Sequence, residues 1–147
     1  MKAELETQII IRATPQQVWS VFANFQEYPQ WNPFIKSISG IVAKGNRIEA
    51  HIQPAGGTAM TFKPTVLTFE PNRELRWLGK LLVTGLFDGE HRFQLLANPN
   101  GTTTFLHSEK FSGILVGLFM KSLQGPTRKG FELMNEKLKE RVEASLH

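Results

Sequence analysis

Apolar and polar residues alternate with a period of two along most of the chain between residues 34 and 112, which is the pattern of half-buried β-strands. Turns rich in glycine, proline and asparagine interrupt this alternation. The strands predicted in this way span residues 4–12, 34–42, 46–54, 59–70, 73–79, 83–96 and 102–112. We therefore expect seven strands, and the last six follow one another without a helix, as in an antiparallel sheet.

A short helical segment is predicted after the first strand. Thr14 supplies an N-cap, Pro15 suits the first helical position, and Gln17 completes a capping box. Apolar residues then recur with helical spacing, which predicts one buried face. Pro29 and Pro33 prevent a long continuation of this helix.

The chain after Gly113 has helical periodicity to about residue 145. Gly125-Pro126 should break or kink this helix, because proline lacks a backbone donor. Beyond the break, an apolar stripe is formed by Phe131, Met134, Leu138 and Val142. Only this final helix is long and amphipathic enough to cover a curved sheet. We expect a single α+β domain over residues 1–147, with a cavity between helix and sheet.

Three ionisable side chains share the apolar parity of the last two strands: His91, His107 and Glu109. The turn at 98–101 favours a three-residue loop, which places His91 opposite Glu109. Directly opposed residues have Cβ atoms about 4.5–5.5 Å apart, within reach of an imidazole–carboxylate hydrogen bond. Burying a polar group without a partner costs about 1–3 kcal/mol. These groups therefore need partners, and a ligand is one candidate.

Composition excludes several kinds of chemistry. The chain has no cysteine, so disulfides, thiolate metal sites and cysteine nucleophiles are ruled out. Asp88 is the only aspartate, and no nucleotide-binding or hydrolase motif is present. We expect no cofactor and no metal, since the four histidines lack the spacing of zinc hydrolases. The net charge of +4 comes from scattered basic residues, which does not indicate nucleic-acid binding.

The apolar segments do not indicate a membrane protein. None approaches the length needed to cross a bilayer, and no long apolar run follows Met1-Lys2. We therefore expect a cytoplasmic protein without stable membrane insertion. Residues 115–120 are more apolar than one buried helix face requires. This segment fits core packing, a mobile lid over a ligand, or contact in a homodimer.

Several motifs occur together along the chain. The segments IRATPQQVW and YPQWNPF cover residues 11–19 and 28–34, and further motifs lie at 91–93, 101–103 and 107–113. Together they resemble the START-like superfamily, and most of all its polyketide cyclase/dehydrase branch, the SRPBCC domains. This resemblance covers essentially the whole chain. It implies a helix-grip fold, in which a seven-stranded antiparallel sheet curves around the C-terminal helix and leaves a deep hydrophobic cavity.

The resemblance implies binding of a hydrophobic or amphipathic small molecule, lipid-like or polyketide-like, with the three ionisable groups orienting a hydroxyl or carbonyl. One alternative is a cyclase or dehydratase that uses His91 and Glu109 as an acid–base pair, because such a pair can move protons near neutral pH. Another is a protein-interaction module, since the same fold occurs in activators of a chaperone ATPase. The plainest alternative is that His91 and Glu109 only satisfy each other in a partly wet core.

The candidate ligand-binding residues lie mostly on the predicted inner faces. They are Trp31, Met60, Phe62, Trp77, Phe87, His91, Phe93, Phe105, His107, Glu109, Phe119 and Met134. Trp31 could gate the cavity mouth, although we favour a role as ordinary core packing. Two histidines and a carboxylate match a facial metal triad in kind, but their spacing along one hairpin argues against a metal site.

Overall fold

The computed structural model describes residues 1–80 and 83–147. Its strands are β1 (Lys2–Ile11), β2 (Ile35–Ser39), β3 (Glu49–Ile52), β4 (Met60–Phe62), β5 (Thr65–Glu70), β6 (Glu74–Lys80), β7 (Asp88–Ala97) and β8 (Thr103–Ser112). Its helices are α1 (Pro15–Phe22), α2 (Tyr28–Trp31), α3 (Val116–Ser122) and α4 (Arg128–Ala144). A 3₁₀ turn (Phe25–Glu27) precedes α2, and a π-helical segment (Leu123–Thr127) joins α3 to α4. The α+β class and the element order confirm the sequence prediction.

The strands form two antiparallel sheets rather than one of seven strands. A five-stranded sheet has the order β1-β8-β7-β6-β5, and a three-stranded sheet has the order β2-β3-β4. The predicted strand over 59–70 is two strands, because Pro64 stands between them and cannot donate to a ladder. A bridge between Arg47 and Thr65, with backbone hydrogen bonds on either side of it, links the segment before β3 to β5. The two sheets therefore continue one curved surface.

The hairpin of β7 and β8 has the register that its turn predicts. Asn98 donates its backbone N–H to the Thr102 carbonyl at 2.8 Å, and Gly101 has a φ of +86°. His91 pairs with Glu109. The strand β7 begins at Asp88 instead of residue 83, because the Asp88 carboxylate accepts a hydrogen bond from the Gly85 N–H and holds a turn there.

Helix α1 begins with the predicted capping box. The Thr14 side chain accepts from the Gln17 backbone N–H at 3.2 Å, and the Gln17 side chain accepts from the Thr14 backbone N–H at 2.9 Å. The helix buries Phe22, whose ring contacts Phe93 and Phe105 on the sheet. These contacts make one end of the interior a solid aromatic core.

Helix α4 packs against β1, β8 and α1, which completes the helix-grip fold. The four residues of its predicted apolar stripe are fully buried. The predicted break at Gly125-Pro126 falls in the π-helical segment, where the helix changes its hydrogen bonding without stopping. Within residues 1–80 and 83–147, no helix has both the length and the apolar character needed to span a membrane.

The apolar stretch on α3 divides between interior and surface. Val116 is buried, whereas Leu118 is 75% exposed and Ile114, just before the helix, is 77% exposed. Phe119 is partly buried and packs edge-on against Phe87. Core packing therefore accounts for only part of this stretch, and the lid and homodimer interpretations stay predictions.

Candidate functional site

A cavity of about 260 Å³ lies between the two sheets and the helical segment that follows β8. Its wall is mostly apolar, with His91 and Glu109 on the side of the five-stranded sheet. The volume is slightly below the roughly 300–1,000 Å³ of sites for drug-sized ligands. The cavity therefore suits a molecule of one or two rings or a short acyl chain.

Seven of the predicted site residues line this cavity. They are Met60, Phe62, Trp77, Phe87, His91, Glu109 and Phe119. Phe93, Phe105 and Met134 instead lie in the solid core with no exposed surface. His107 is also fully buried, behind His91. Trp31 is partly buried and packs edge-on against Tyr28, outside the cavity lining.

The remaining lining residues were not among the sequence candidates. They are Phe34, Ile52, Pro54, Pro64, Gly79, Lys80, Gly89, Phe111, Ser122, Leu123 and Thr127. Gly89 and Phe111 have the same strand parity as His91 and Glu109, so the alternation itself could have identified them. Ser122, Leu123 and Thr127 lie around the π-helical segment, where the regular helical period no longer shows which side faces inward.

The ionisable groups form one continuous chain of close polar contacts. His91 Nδ1 lies 3.1 Å from Glu109 Oε1, and its Nε2 lies 2.7 Å from His107 Nε2. His107 Nδ1 lies 2.9 Å from Asn135 Oδ1 on α4, and Asn135 Nδ2 donates to Thr7 Oγ1 on β1 at 2.9 Å. The Thr7 hydroxyl donates to the His107 carbonyl at 2.8 Å, which closes the chain.

Burial controls the protonation of His107. Removal from solvent lowers the pKa of its imidazole well below the usual 6.5, and the nearby His91 lowers it further. Hydrogen bonds to the Asn135 side chain and the Phe131 backbone raise the pKa but do not offset the burial. The ring also stacks parallel to Phe131 at a centroid distance of 4.1 Å. His107 is therefore a neutral, rigidly held imidazole.

Gly89 provides the space in which the Glu109 carboxylate lies. A Cβ atom at position 89 would be 2.2 Å from Glu109 Oε2, closer than any real contact. Gly89 and Glu109 are on adjacent strands and both line the cavity. The missing side chain thus lets the carboxylate lie flat on the sheet, with Oε1 on His91 and Oε2 above the glycine.

This cluster does not have the arrangement of a metal centre. In the part of the chain that the structure describes, no group of three or more histidine, aspartate and glutamate side chains could hold a metal ion. Both ring nitrogens of His91 are already engaged, one by Glu109 and the other by His107. The arrangement is suited instead to hydrogen bonding and proton transfer at the cavity wall.

Comparison with known proteins adds the family. A family model described as "polyketide cyclase / dehydrase and lipid transport" matches residues 2–143. The chain belongs to this family. The match confirms the resemblance seen in the sequence motifs, and family membership supports a hydrophobic ligand-binding or cyclase-type role. None of the curated proteins is significantly similar to the chain in sequence.

Solved structures share the fold at low sequence identity. The Zhui aromatase/cyclase from Streptomyces sp. R1128 superposes with a TM-score of 0.79 at 12% identity, covering 100% of this chain and 97% of that one. A START superfamily protein from Mycobacterium smegmatis gives 0.72 at 22% identity, covering 97% and 98%. A norcoclaurine synthase point mutant from Thalictrum, in complex with a transition-state analogue, gives 0.74 at 9% identity, covering 100% and 98%. These likenesses establish the helix-grip fold.

Proposed function

We propose that this protein binds a small hydrophobic or amphipathic molecule in its cavity, with the Glu109–His91 pair as the polar recognition point. The observation that carries the proposal is a mostly apolar cavity with the Glu109 carboxylate, in contact with His91, at its inner wall. Family membership and the aromatase/cyclase fold neighbour support it. The residues proposed to contact the ligand are the seven sequence candidates that line the cavity.

The size of the cavity sets the affinity that can be expected. A ligand that buries about 200 Å² of apolar surface gains about 5 kcal/mol at about 25 cal/mol per Å². Association costs remove part of that gain. A useful affinity therefore requires both the apolar walls and at least one well-made polar contact, which is the role we give to Glu109.

A fluorescent apolar probe, 1-anilinonaphthalene-8-sulfonate, tests this proposal. Gly79 lines the cavity, and nothing lies closer than 4.0 Å to a Cβ added there, so Gly79→Leu should fill the cavity without a clash at Cβ. We expect this variant to bind the probe at least tenfold more weakly than the natural chain. Thr65→Leu adds the same side chain at an exposed position on the adjacent strand and should bind as the natural chain does. Equal binding by both variants would refute the cavity as the binding site.

A second candidate function is acid–base catalysis on a carbonyl compound, as the family description suggests. The specific observation in its favour is the 3.1 Å contact between His91 Nδ1 and Glu109 Oε1, beyond which His91 is hydrogen-bonded to His107 in the core. Such a pair can remove a proton next to a carbonyl and return it. Acetophenone in D₂O provides the test by NMR: the natural chain should accelerate exchange of the methyl protons, and Glu109→Gln should not. Exchange at the buffer rate with both proteins would exclude this function.

A further inference from the structure

The direction of the hydrogen bonds around His107 is set by its own backbone carbonyl, which can only accept a hydrogen bond. The His107 backbone carbonyl accepts from the Thr7 hydroxyl at 2.8 Å, so the single proton of that hydroxyl is used there. Thr7 Oγ1 must then accept from Asn135 Nδ2, which lies 2.9 Å away. The amide of Asn135 is thereby oriented with its Oδ1 towards His107.

That orientation determines which nitrogen of His107 carries the proton. Asn135 Oδ1 can only accept, so His107 Nδ1, at 2.9 Å, is the donor. The Phe131 backbone also hydrogen-bonds His107 and raises its pKa, as an accepting carbonyl does. Because the ring is neutral, its Nε2 has a free lone pair. His91 Nε2, at 2.7 Å, must therefore donate to it.

One proton is then shared between His91 and Glu109. The proton on His91 Nε2 is committed to His107, and His91 Nδ1 faces Glu109 Oε1 at 3.1 Å. The atoms meet favourably only if a proton lies between them, either on the imidazole or on the carboxyl group. In both cases Oε1 is the oxygen that faces His91, and Oε2 is left as an acceptor. If the hydrogen bonds between His107, His91 and Glu109 ran in the opposite direction, His91 Nδ1 would carry its own proton. Glu109 could then donate an acid proton on Oε2 to a ligand carbonyl.

The acceptor oxygen is placed to meet a ligand. Glu109 Oε2 lies above Gly89, both residues line the cavity, and across residues 1–80 and 83–147 Oε2 makes no hydrogen bond. We propose that the ligand donates a hydrogen bond from a hydroxyl, phenol or enol to Glu109 Oε2, and that an ether or ketone at that position is rejected. The proposal rests on the proposed ligand-binding function. His107, Asn135 and Thr7 act as positioning residues that fix the donor-to-acceptor direction of these hydrogen bonds.

Two matched probes test this inference by isothermal titration calorimetry. 2-Naphthol and 2-methoxynaphthalene have the same ring system, but only the first can donate a hydrogen bond. We expect the natural chain to bind 2-naphthol at least tenfold more tightly, because the ether would leave Oε2 without a donor and set two acceptor oxygens against each other. Glu109→Met removes the acceptor and should bring the two affinities within threefold. Glu109→Gln retains a carbonyl acceptor and should keep a reduced preference for 2-naphthol.

The outcomes distinguish failure of the inference from failure of the proposed function. Equal binding of both probes by the natural chain would overturn the inference and leave the cavity as a binding site. Binding of neither probe would overturn the ligand-binding function itself. A ¹⁵N NMR spectrum of the histidine rings checks the positioning chain separately. We expect His107 as the neutral Nδ1–H tautomer, and the Nε2–H tautomer would contradict the proposed direction.

Discussion

The ring of Phe34 packs so closely on the backbone of Gly130 in α4 that a side chain at position 130 would clash with it. A Cβ atom at position 130 would lie 2.5 Å from Phe34 Cδ1 and 3.0 Å from Cε1. Phe34 in turn packs against His107 and Phe131 and lines the cavity. The helix therefore does not line the cavity itself, but its backbone sets the position of one wall.

Gly130→Ala should destabilise the protein and displace Phe34. The expected loss is about 1–3 kcal/mol from overpacking, reduced by up to about 1 kcal/mol because alanine is the better helix former. Urea unfolding measures the change in free energy. Gly125→Ala is the comparison, since apart from its chain neighbours nothing lies within 4 Å of a Cβ at that position. Its cost is limited to the crowding of a Cβ against the following Pro126 and should be smaller than that of Gly130→Ala. An equal loss in both variants would show that the Phe34 contact is unimportant.

Core and lining residues should respond differently to truncation. Phe105→Ala removes a fully buried ring and should cost about 3–5 kcal/mol in the free energy of unfolding. Met60 lines the cavity and is 50% exposed, so Met60→Ala should cost less than about 1 kcal/mol. Met60→Ala should instead weaken binding of the naphthalene probe. A large stability loss at Met60 would place it in the core, contrary to the structure.

Stability should fall in mild acid because of His107. Burial lowers the pKa of this imidazole in the folded chain below 6.5, so the unfolded chain binds the proton first. The contribution of His107 is complete above about pH 6.5 and declines as the pH falls, by up to about 1.4 kcal/mol per pH unit. Urea unfolding at pH 7.5 and 5.5 measures this slope. His107→Gln should have a shallower slope than the natural chain, and identical slopes would exclude His107 as the source.

Asn135→Asp should raise the pKa of His107. The new carboxylate would face His107 Nδ1, where Oδ1 now lies at 2.9 Å, and an opposite charge at that distance favours the imidazolium. An NMR titration of the histidine ring signals should show His107 titrating at higher pH than in the natural chain. Asn135→Leu, which has neither charge nor hydrogen-bonding groups, provides the comparison. An unchanged titration in Asn135→Asp would mean that the Asn135 contact does not control the ring.

The hairpin of β7 and β8 shows how far the sequence alone can lead. A period of two identifies the inner face, and the 98–101 turn sets the register, so the opposition of His91 and Glu109 is predictable. The contact between His91 and His107 is not, because it joins diagonal neighbours and depends on side-chain rotamers. Asn135 follows Phe131 by four residues and lies on the same face of α4. Because Asn135 is polar, the apolar stripe predicted from helical spacing does not include it.

The sequence predicts that a cavity exists but neither its exact location nor its lining. The sequence indicates a gap between sheet and terminal helix, yet Met134 and Phe105 are fully buried beneath α4 and do not line the cavity. The open space lies beside α3 and the three-stranded sheet instead. Which part of an apolar interior stays empty depends on how large side chains interdigitate, and periodicity carries no information about that. Pro64 was the one visible sign that the sheet divides at this point.

The Glu109–His91 pair and part of the apolar wall of the cavity lie on different sheets. Glu109 and His91 lie on the five-stranded sheet, whereas Ile52, Met60 and Phe62 come from the three-stranded one. Substitutions in the smaller sheet can therefore reshape the space for a ligand's carbon skeleton while the hydrogen-bonding end stays intact. Under the proposed function, sequence divergence in the smaller sheet would change the size of the ligand accepted and leave the contact with Glu109 unchanged.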